Sequence, residues 1–563
     1  MSEYFERPFL PGRGEPAPLP LSRHLPELSP GMASTWLRDT IPPGSWVLDP
    51  IGSTPALALE CARAGYRVLV TCNNPILQFI HETLASAPQA EEFQSALAEV
   101  AVLRRGSERL DLYLQSLYKT ECSNCGQFIP VEAYLWKRDE DQPFSRIYHC
   151  PHCGENGERP VTGKDLDQIE NLSGDLLSRA RALDRISLEE GFQAGAKEAL
   201  QVYSARSLHF LFTLLNKTEG ISSDMSRRKR LLWALLISAF DAGNKLWPWP
   251  SARHHPRQLN VPPQFRENNL WSAMEEAISD WCSNSTPVTL THWPELSPSE
   301  GGICLFRGRL RTLQLPPELH LQATLAVFPR PSQAFWTLSA VWSGWLWGRE
   351  TVIPLRAALE RRRYDWQWHA NALDSTLQAL KLQSSGNMPV FGILPDLAPG
   401  FLTAVMVAAK TSGLDLVGMA LNGEQETAQI LWQTGLNTNK GSAGSLMDAS
   451  RQTIRSLLLQ YNQPTPYISL HAGALATILP LTEDMKPSQL VDQVQSSISG
   501  VFKDVEFLKR YESQAQSYES GLWWLASSNQ AGESASTNRS TLVDQVEMEI
   551  IRHLEKKPGC TFE

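Results

Sequence analysis

The stretch Val47–Pro75, VLDPIGSTPALALECARAGYRVLVTCNNP, admits few folds. Val47-Leu48 reads as the end of a short apolar strand, and Asp49–Ser53 as a tight turn. Ala56–Ala64 is rich in Ala and Leu and free of Pro and Gly, so it reads as a helix. Gly65 falls where a terminating C′ glycine sits. Arg67–Thr71 is apolar and β-branched, the pattern of a buried strand. A strand-turn-helix-strand unit of this length opens a nucleotide- or cofactor-binding α/β sheet.

Two cysteine pairs fix a second element. Cys122-Ser-Asn-Cys125-Gly and Cys150-Pro-His-Cys153-Gly are separated by 24 residues that include Tyr134, Leu135, Trp136, Phe144, Ile147 and Tyr148. The glycine after each pair permits a turn that aims two thiolates at one point. The intervening residues read as an antiparallel ribbon. This spacing predicts a structural zinc ribbon with Cys122, Cys125, Cys150 and Cys153 as ligands. The alternatives are unrelated reduced pairs, a redox pair, or substitution by His149 or His152. The other five of the nine cysteines are scattered, which does not suit a disulfide framework.

Asp49-Pro50-Ile51 and Asn74-Pro75 carry a family likeness. The unit resembles the S-adenosylmethionine (AdoMet) region of DNA amino-methyltransferases, which methylate the exocyclic nitrogen of adenine or cytosine. That family runs Asp-Pro-Phe-x-Gly-x-Gly, a helix, a strand ending in an acid, and often Asn-Pro. The resemblance implies AdoMet contacts from Asp49, Pro50, Gly52, Ser53, Cys72 and Asn74. The chain departs from the pattern twice. Ser53-Thr54-Pro55 stands in place of Gly-x-Gly, and Cys72 in place of the acid. Loss of a charged acceptor for the ribose hydroxyls costs roughly 1.5–3 kcal/mol, and Pro55 removes an N–H donor.

A second likeness lies in Leu325–Gly348, LAVFPRPSQAFWTLSAVWSGWLWG. A strand, Leu325–Phe328, runs into Pro329-Arg330-Pro331 and a Trp-rich helix. This resembles the catalytic Asp/Asn/Ser-Pro-Pro-Tyr/Phe motif of the same enzymes, in which the first residue binds the target amine and the aromatic stacks on the flipped base. The order, with a zinc ribbon inserted between the motifs, is similar to one group of predicted adenine-specific DNA methylases. The resemblance places Pro329, Arg330 and Pro331 at the catalytic loop, with no polar group at the first position. The same residues also read simply as a rigid strand-to-helix turn.

The expected architecture is α/β: a doubly wound, Rossmann-like methyltransferase sheet. It would comprise an extended arm (1–40), an AdoMet-binding-like half (41–118), the zinc ribbon (119–162), a helical insertion (163–285), a catalytic-like half (286–436) and a helical C-terminal region (437–526). A polar linker and one helix (527–563) follow, the helix reading as the start of a winged-helix module, cut short or completed by a partner. Departures on three motifs point to a DNA methyltransferase-like protein with reduced or lost activity. The alternative is a non-catalytic nucleic-acid-binding or scaffold protein. DNA is the expected partner, with a protein partner possible through the C-terminal region. A net charge of −9 argues against a uniformly basic nucleic-acid binder, leaving local patches such as Arg227–Arg230, the loop Trp247–Pro263 and the Arg307, Arg309, Arg311 alternation. Each of these also reads as a solvated face or a connector. No apolar run reaches the roughly 18 residues of a membrane helix, and no apolar signal core opens the chain, so a cytoplasmic location is expected.

Overall fold

Two parallel strands, β1 (Trp46–Asp49) and β2 (Arg67–Cys72), open the sheet, with Trp46 opposite Arg67 and Asp49 opposite Val70. The crossover helix Pro55–Arg63 begins on Pro55, whose missing N–H is harmless at the first helical position. Gly65 ends the turn after it at φ +89°, a conformation that favours glycine. The departure Ser53-Thr54-Pro55 is therefore a good helix start. Two further strands, β3 (Leu290–His292) and β4 (Gly302–Arg307), extend this sheet in parallel, β4 lying against β2. The burial of β1 and β2 is almost complete, as a two-sided parallel sheet demands.

The computed structural model describes residues 8–14, 16–173, 176–186, 190–220, 226–250, 255–282, 286–361, 364–384, 386–435, 445–511, 517–526 and 541–556. The chain divides into two units, 11–314 with 331–364, and 1–10 with 315–330 and 365–563. The described residues are mixed α/β, with both parallel and antiparallel strands and many helices. The polar linker 527–540 and the turn Lys557–Gly559 lie outside the described residues, as does part of the loop Trp247–Pro263.

In the first unit the ribbon forms a four-stranded antiparallel sheet. Its order is Gln264–Asn268, Ala133–Lys137, Pro143–His149, Asn156–Pro160. One of its strands thus comes from the far end of the helical insertion. Among the described residues that insertion contains five helices between Gly163 and Ala242. The Trp-rich helix Gln333–Trp347 is core. Trp342 and Trp345 are fully buried, donating to the Tyr203 hydroxyl at 2.7 Å and the Ala182 carbonyl at 3.1 Å. Arg23 and His24 fasten the N-terminal segment to Asp241 at 2.7 and 2.8 Å.

The second unit pairs β5 (Leu321–Val327) with β6 (Pro389–Leu394) in parallel. It then adds β8 (Thr427–Thr434) antiparallel to both β6 and β7 (Leu414–Asn422).

Two sequence expectations are corrected. Arg307, Arg309 and Arg311 do not share a strand face. The strand stops at Arg307, Gly308 breaks it, and Leu310–Thr312 is a 3-10 turn that buries Leu310. The region 437–526 is not wholly helical. After the helix Pro487–Phe502, Asp504 accepts from the Glu506 N–H, and Leu508–Tyr511 pairs with Leu522–Leu525 as part of a three-stranded sheet. The aromatic residues Tyr511 and Trp523 favour the pleated surface over another helical turn.

A buried ion pair ties the ribbon to the insertion. Arg146 and Asp165, 0% and 1% exposed, meet at 2.9 Å. Burial alone would raise the Asp165 carboxyl. Hydrogen bonds from Thr120 and Thr162 and the charge of Arg146 outweigh it and hold the carboxyl below its usual range. Removing one partner of such a pair typically costs about 3–5 kcal/mol. Asp165→Asn is expected to speed amide hydrogen exchange across the ribbon by about 10²-fold or more. An unchanged exchange pattern would show that the pair contributes nothing.

Candidate functional site

The four ribbon cysteines converge. Each knuckle repeats the same turn: Cys122 N–H bonds to the Gln127 carbonyl and Gly126 N–H to Cys122, while Cys150 N–H bonds to Glu155 and Gly154 N–H to Cys150. Gly126 and Gly154 sit at φ +72° and +77°, so the glycines are required. All four sulfurs lie within 4.8 Å of one another. Cys122–Cys153 and Cys125–Cys150 are 3.6 Å apart. That is far beyond the roughly 2.05 Å of a disulfide. It is close to the edge of about 3.8 Å in a tetrahedron with metal–sulfur bonds of about 2.3 Å. The geometry fits one tetrahedral metal ion held by four thiolates. His149 and His152 are exposed and outside the cluster.

Sequence reasoning missed the support around this cluster. Glu155 Oε2 lies 3.1 Å from Cys122 Sγ and accepts from Asn124 N–H at 3.1 Å and the Tyr148 hydroxyl at 2.9 Å. Arg159 pairs with its other oxygen at 2.9 Å. Its place two residues after the second CxxC, with Arg159 four residues on, was the available signal.

The β1–β2 turn is built from the residues the methyltransferase likeness singled out. Asp49, Pro50, Gly52, Ser53, Cys72 and Asn74 are brought together, and all are buried. Asp49 Oδ1 accepts from Gly52 N–H at 2.8 Å and Ile51 N–H at 3.1 Å. Gly52 has φ +57°, and a Cβ there would lie 2.9 Å from the Thr71 carbonyl and 3.1 Å from Cys72 Cβ. The turn therefore packs directly onto the end of β2. Thr71 bonds back to the Pro50 carbonyl at 2.8 Å. Asn74 caps the helix Pro75–Ala85 through Ile76 N–H at 3.0 Å and donates to Ser339 at 3.1 Å.

These residues do not fit AdoMet as they are arranged. Burial pushes the Cys72 thiol up to about 12, so it stays neutral, and it points to the Asn74 carbonyl. A neutral thiol is a weak acceptor for a ribose diol. The β2 end, where a cofactor would lie, is covered by Gly52. A cavity of about 1500 Å³ in the same unit is lined elsewhere, by residues 16–30 and by faces that include Leu59, Asp241 and Glu276, and by none of the six turn residues. His81, absent from the sequence reading, is fully buried beside the turn, and burial lowers it to about 4.

In the second unit Pro329 and Arg330 are half-buried, and Pro331, in the first, is buried. Val327 and Phe328 both point into the core, Phe328 against Trp432 over Gly392. Arg330 forms an ion pair with Asp396 and lies 5.3 Å from the centre of the Trp366 ring. His369 is buried nearby, lowered to about 3 by burial and contacting the Pro329 backbone. Of the basic patches, Arg227 pairs with Glu92, Arg228 with Glu99 and Arg307 with Glu82.

No family model, curated protein or solved structure matches the chain. No helix of the described residues is long and apolar enough to cross a membrane.

Elemental analysis of the purified chain is expected to give one zinc per chain. Cys150→Ser should abolish it and expose ribbon amides to exchange, since such sites contribute on the order of 10 kcal/mol. Metal retained in Cys150→Ser would contradict a four-thiolate site. The Asp49 turn yields a pH test. Burial raises the Asp49 carboxyl to about 6, opposed by the Gly52 and Ile51 hydrogen bonds. A carboxyl with a raised folded pKa favours the fold at low pH and loses that advantage as pH rises through 4 to 6. Asp49→Asn keeps an acceptor for both N–H groups and removes the buried charge. It should stabilise the protein by about 1–3 kcal/mol above pH 7, with the gap closing below about pH 4. Destabilisation at pH 8 would contradict this.

Proposed function

We propose that the chain is a non-catalytic relative of the zinc-ribbon DNA amino-methyltransferases. In this reading its sheet is a doubly wound, Rossmann-like methyltransferase sheet kept as a scaffold, and its zinc ribbon recognises DNA. The observation that carries the proposal is the tight β1–β2 turn, where Gly52 donates to Asp49 Oδ1 and packs on Cys72. The loop at Arg330 supports it. An ion-paired guanidinium sits where the family presents groups for a base, and a fixed cation opposes the positive charge that grows on a methylated amine.

Recognition is assigned to the knuckle face. Phe128 is 56% exposed, with the Lys164 ammonium 5.1 Å from its ring centre and paired with Glu121 at 2.5 Å. Asn124, His149 and His152, in or beside the two knuckles in sequence, are also exposed. An exposed aromatic with cationic and hydrogen-bonding neighbours suits an unpaired or splayed base. Arg227, Arg228 and Arg307, which belong to other elements and pair with glutamates there, are left out of the DNA contact.

The competing reading, an active AdoMet-dependent DNA methyltransferase, has one observation in its favour. Asp49 Oδ2, Thr54 Oγ1 and both His81 nitrogens are buried without a hydrogen-bond partner. Such groups usually find one, from water or a ligand.

Two assays separate the readings. Labelled AdoMet and adenine- or cytosine-containing DNA should give no methyl transfer above background, while the same protein retains single-stranded DNA. Phe128→Ala should weaken that retention about tenfold, and Arg227→Ala should leave it unchanged. Methyl transfer by the wild-type chain would overturn the non-catalytic reading. DNA retention indifferent to Phe128→Ala would overturn the assignment to the ribbon.

A further inference from the structure

The cavity of about 1500 Å³ in the first unit is lined by neither the β1–β2 turn nor the cysteine knuckles. One part of its wall is helical. Ala273, Glu276, Ala277 and Asp280 recur at helical spacing across Leu270–Glu276 and Ile278–Trp281, which puts them on one face. The alanines leave room there, and two carboxyls border it. Another part is the segment 16–30, which supplies Leu21, Leu25 and Leu28 among its prolines. That segment is held where Arg23 meets Asp241 at 2.7 Å, and where His255 Nδ1 lies 2.9 Å from the Arg23 carbonyl.

Six carboxyls and three guanidiniums line the cavity. Asp241 is matched by Arg23, and Glu60 accepts from Ser34 N–H at 2.7 Å. Among the described residues Glu27, Glu132, Glu276 and Asp280 form no ion pair. Burial raises the Glu276 carboxyl, with Glu132 and Glu275 adding to it and Arg266 opposing, and burial raises Asp280 as well. A cation entering the cavity relieves both. That cation is not a bare metal ion, because among the described residues only the four knuckle cysteines bring three or more ligand atoms together. Nor is it a simple amine. Arg266, half-buried on the wall, makes no side-chain hydrogen bond or ion pair among the described residues, its guanidinium 5.8 Å from the Trp249 ring centre. It needs acceptors, which an ammonium lacks and a peptide carbonyl supplies. The volume also exceeds the roughly 300–1,000 Å³ of small-ligand sites.

We propose that this cavity docks an extended peptide segment of a partner protein, one in which lysine or arginine side chains alternate with apolar ones. Its basic groups meet Glu132, Glu276 and Asp280, its apolar groups the leucines of 16–30, and its carbonyls Arg266. The net charge of −9 favours approach of a basic partner. This docking does not rest on the DNA reading, since no knuckle residue takes part.

Selection from a displayed library of random peptides of about ten residues, roughly 33 Å long when extended, tests the proposal on the full metal-loaded chain. Recovered peptides should be enriched in Lys and Arg. A labelled recovered peptide should bind the variant Glu276→Gln with Asp280→Asn at least about tenfold more weakly than wild type. Ala273→Trp, which fills the cavity and leaves its charges alone, should weaken binding as much. Unchanged metal content in both variants shows that the chain is folded. Spermine brings positive charge without carbonyls or apolar side chains, and should displace the labelled peptide only well above the concentration at which unlabelled peptide does. Recovery of no peptide, of peptides poor in basic residues, or of peptides that bind the double variant as tightly as wild type would overturn the proposal. Displacement by spermine as readily as by unlabelled peptide would overturn the peptide assignment in favour of a small organic cation.

Discussion

The bond from Gly52 N–H to Asp49 Oδ1 sets the geometry on which the β1–β2 end depends. With Ile51 N–H it folds the backbone over the carboxylate and puts Gly52 in the left-handed region. Only then can Gly52 approach the Thr71 carbonyl and Cys72, and Thr71 reach back to Pro50. Asn74 follows at once, committed at both ends of its amide, to the helix start and to Ser339. Asp49 Oδ1, Gly52, Cys72 and Asn74 are thereby engaged in the fold, while Asp49 Oδ2 is left without a partner. A buried carboxylate is an expensive way to shape a turn.

The ribbon solves a different problem. Cys122, Ile129, Tyr148 and Cys150 form a small buried cluster of their own. Val131, Ala133, Tyr134 and Leu135 of the ribbon are buried as well, so a metal at the four sulfurs would add to hydrophobic burial rather than replace it. The strand Gln264–Asn268 adds the last edge, and Glu267 from it accepts from Trp136 at 2.9 Å and Ser204 at 2.5 Å. The ribbon is thus built into the helical insertion rather than tethered to it, and its knuckle tips remain the exposed part.

What could be read from the sequence follows the range of the interactions. Strand-turn-helix-strand at Val47–Pro75, the helical character of the insertion and the paired knuckles are local patterns, and all appear among the described residues. The four sulfur ligands were legible because glycine and cysteine spacing encode the turn directly. The Arg330–Asp396 pair, 66 residues apart, was not, and Arg330 reads quite differently with its partner than without it. The same holds for Glu155 beside Cys122 and for Gly392, whose missing side chain is explained only by Phe328 and Trp432 packed over it. The arginines after β4 failed for a local reason, since alternation in the letters outran the strand itself by one glycine. The C-terminal sheet was missed because its short strands lie among helices and pair across a gap that no periodicity marks.

The account turns on whether the closed end of β1 and β2 still admits AdoMet. Isothermal calorimetry of the metal-loaded chain measures this directly. The account predicts no heat of binding up to about 1 mM AdoMet, corresponding to less than about 4 kcal/mol of affinity. Saturable micromolar binding would contradict it, and would mean that Asp49 Oδ2, Thr54 and His81 are the unfilled half of a working pocket.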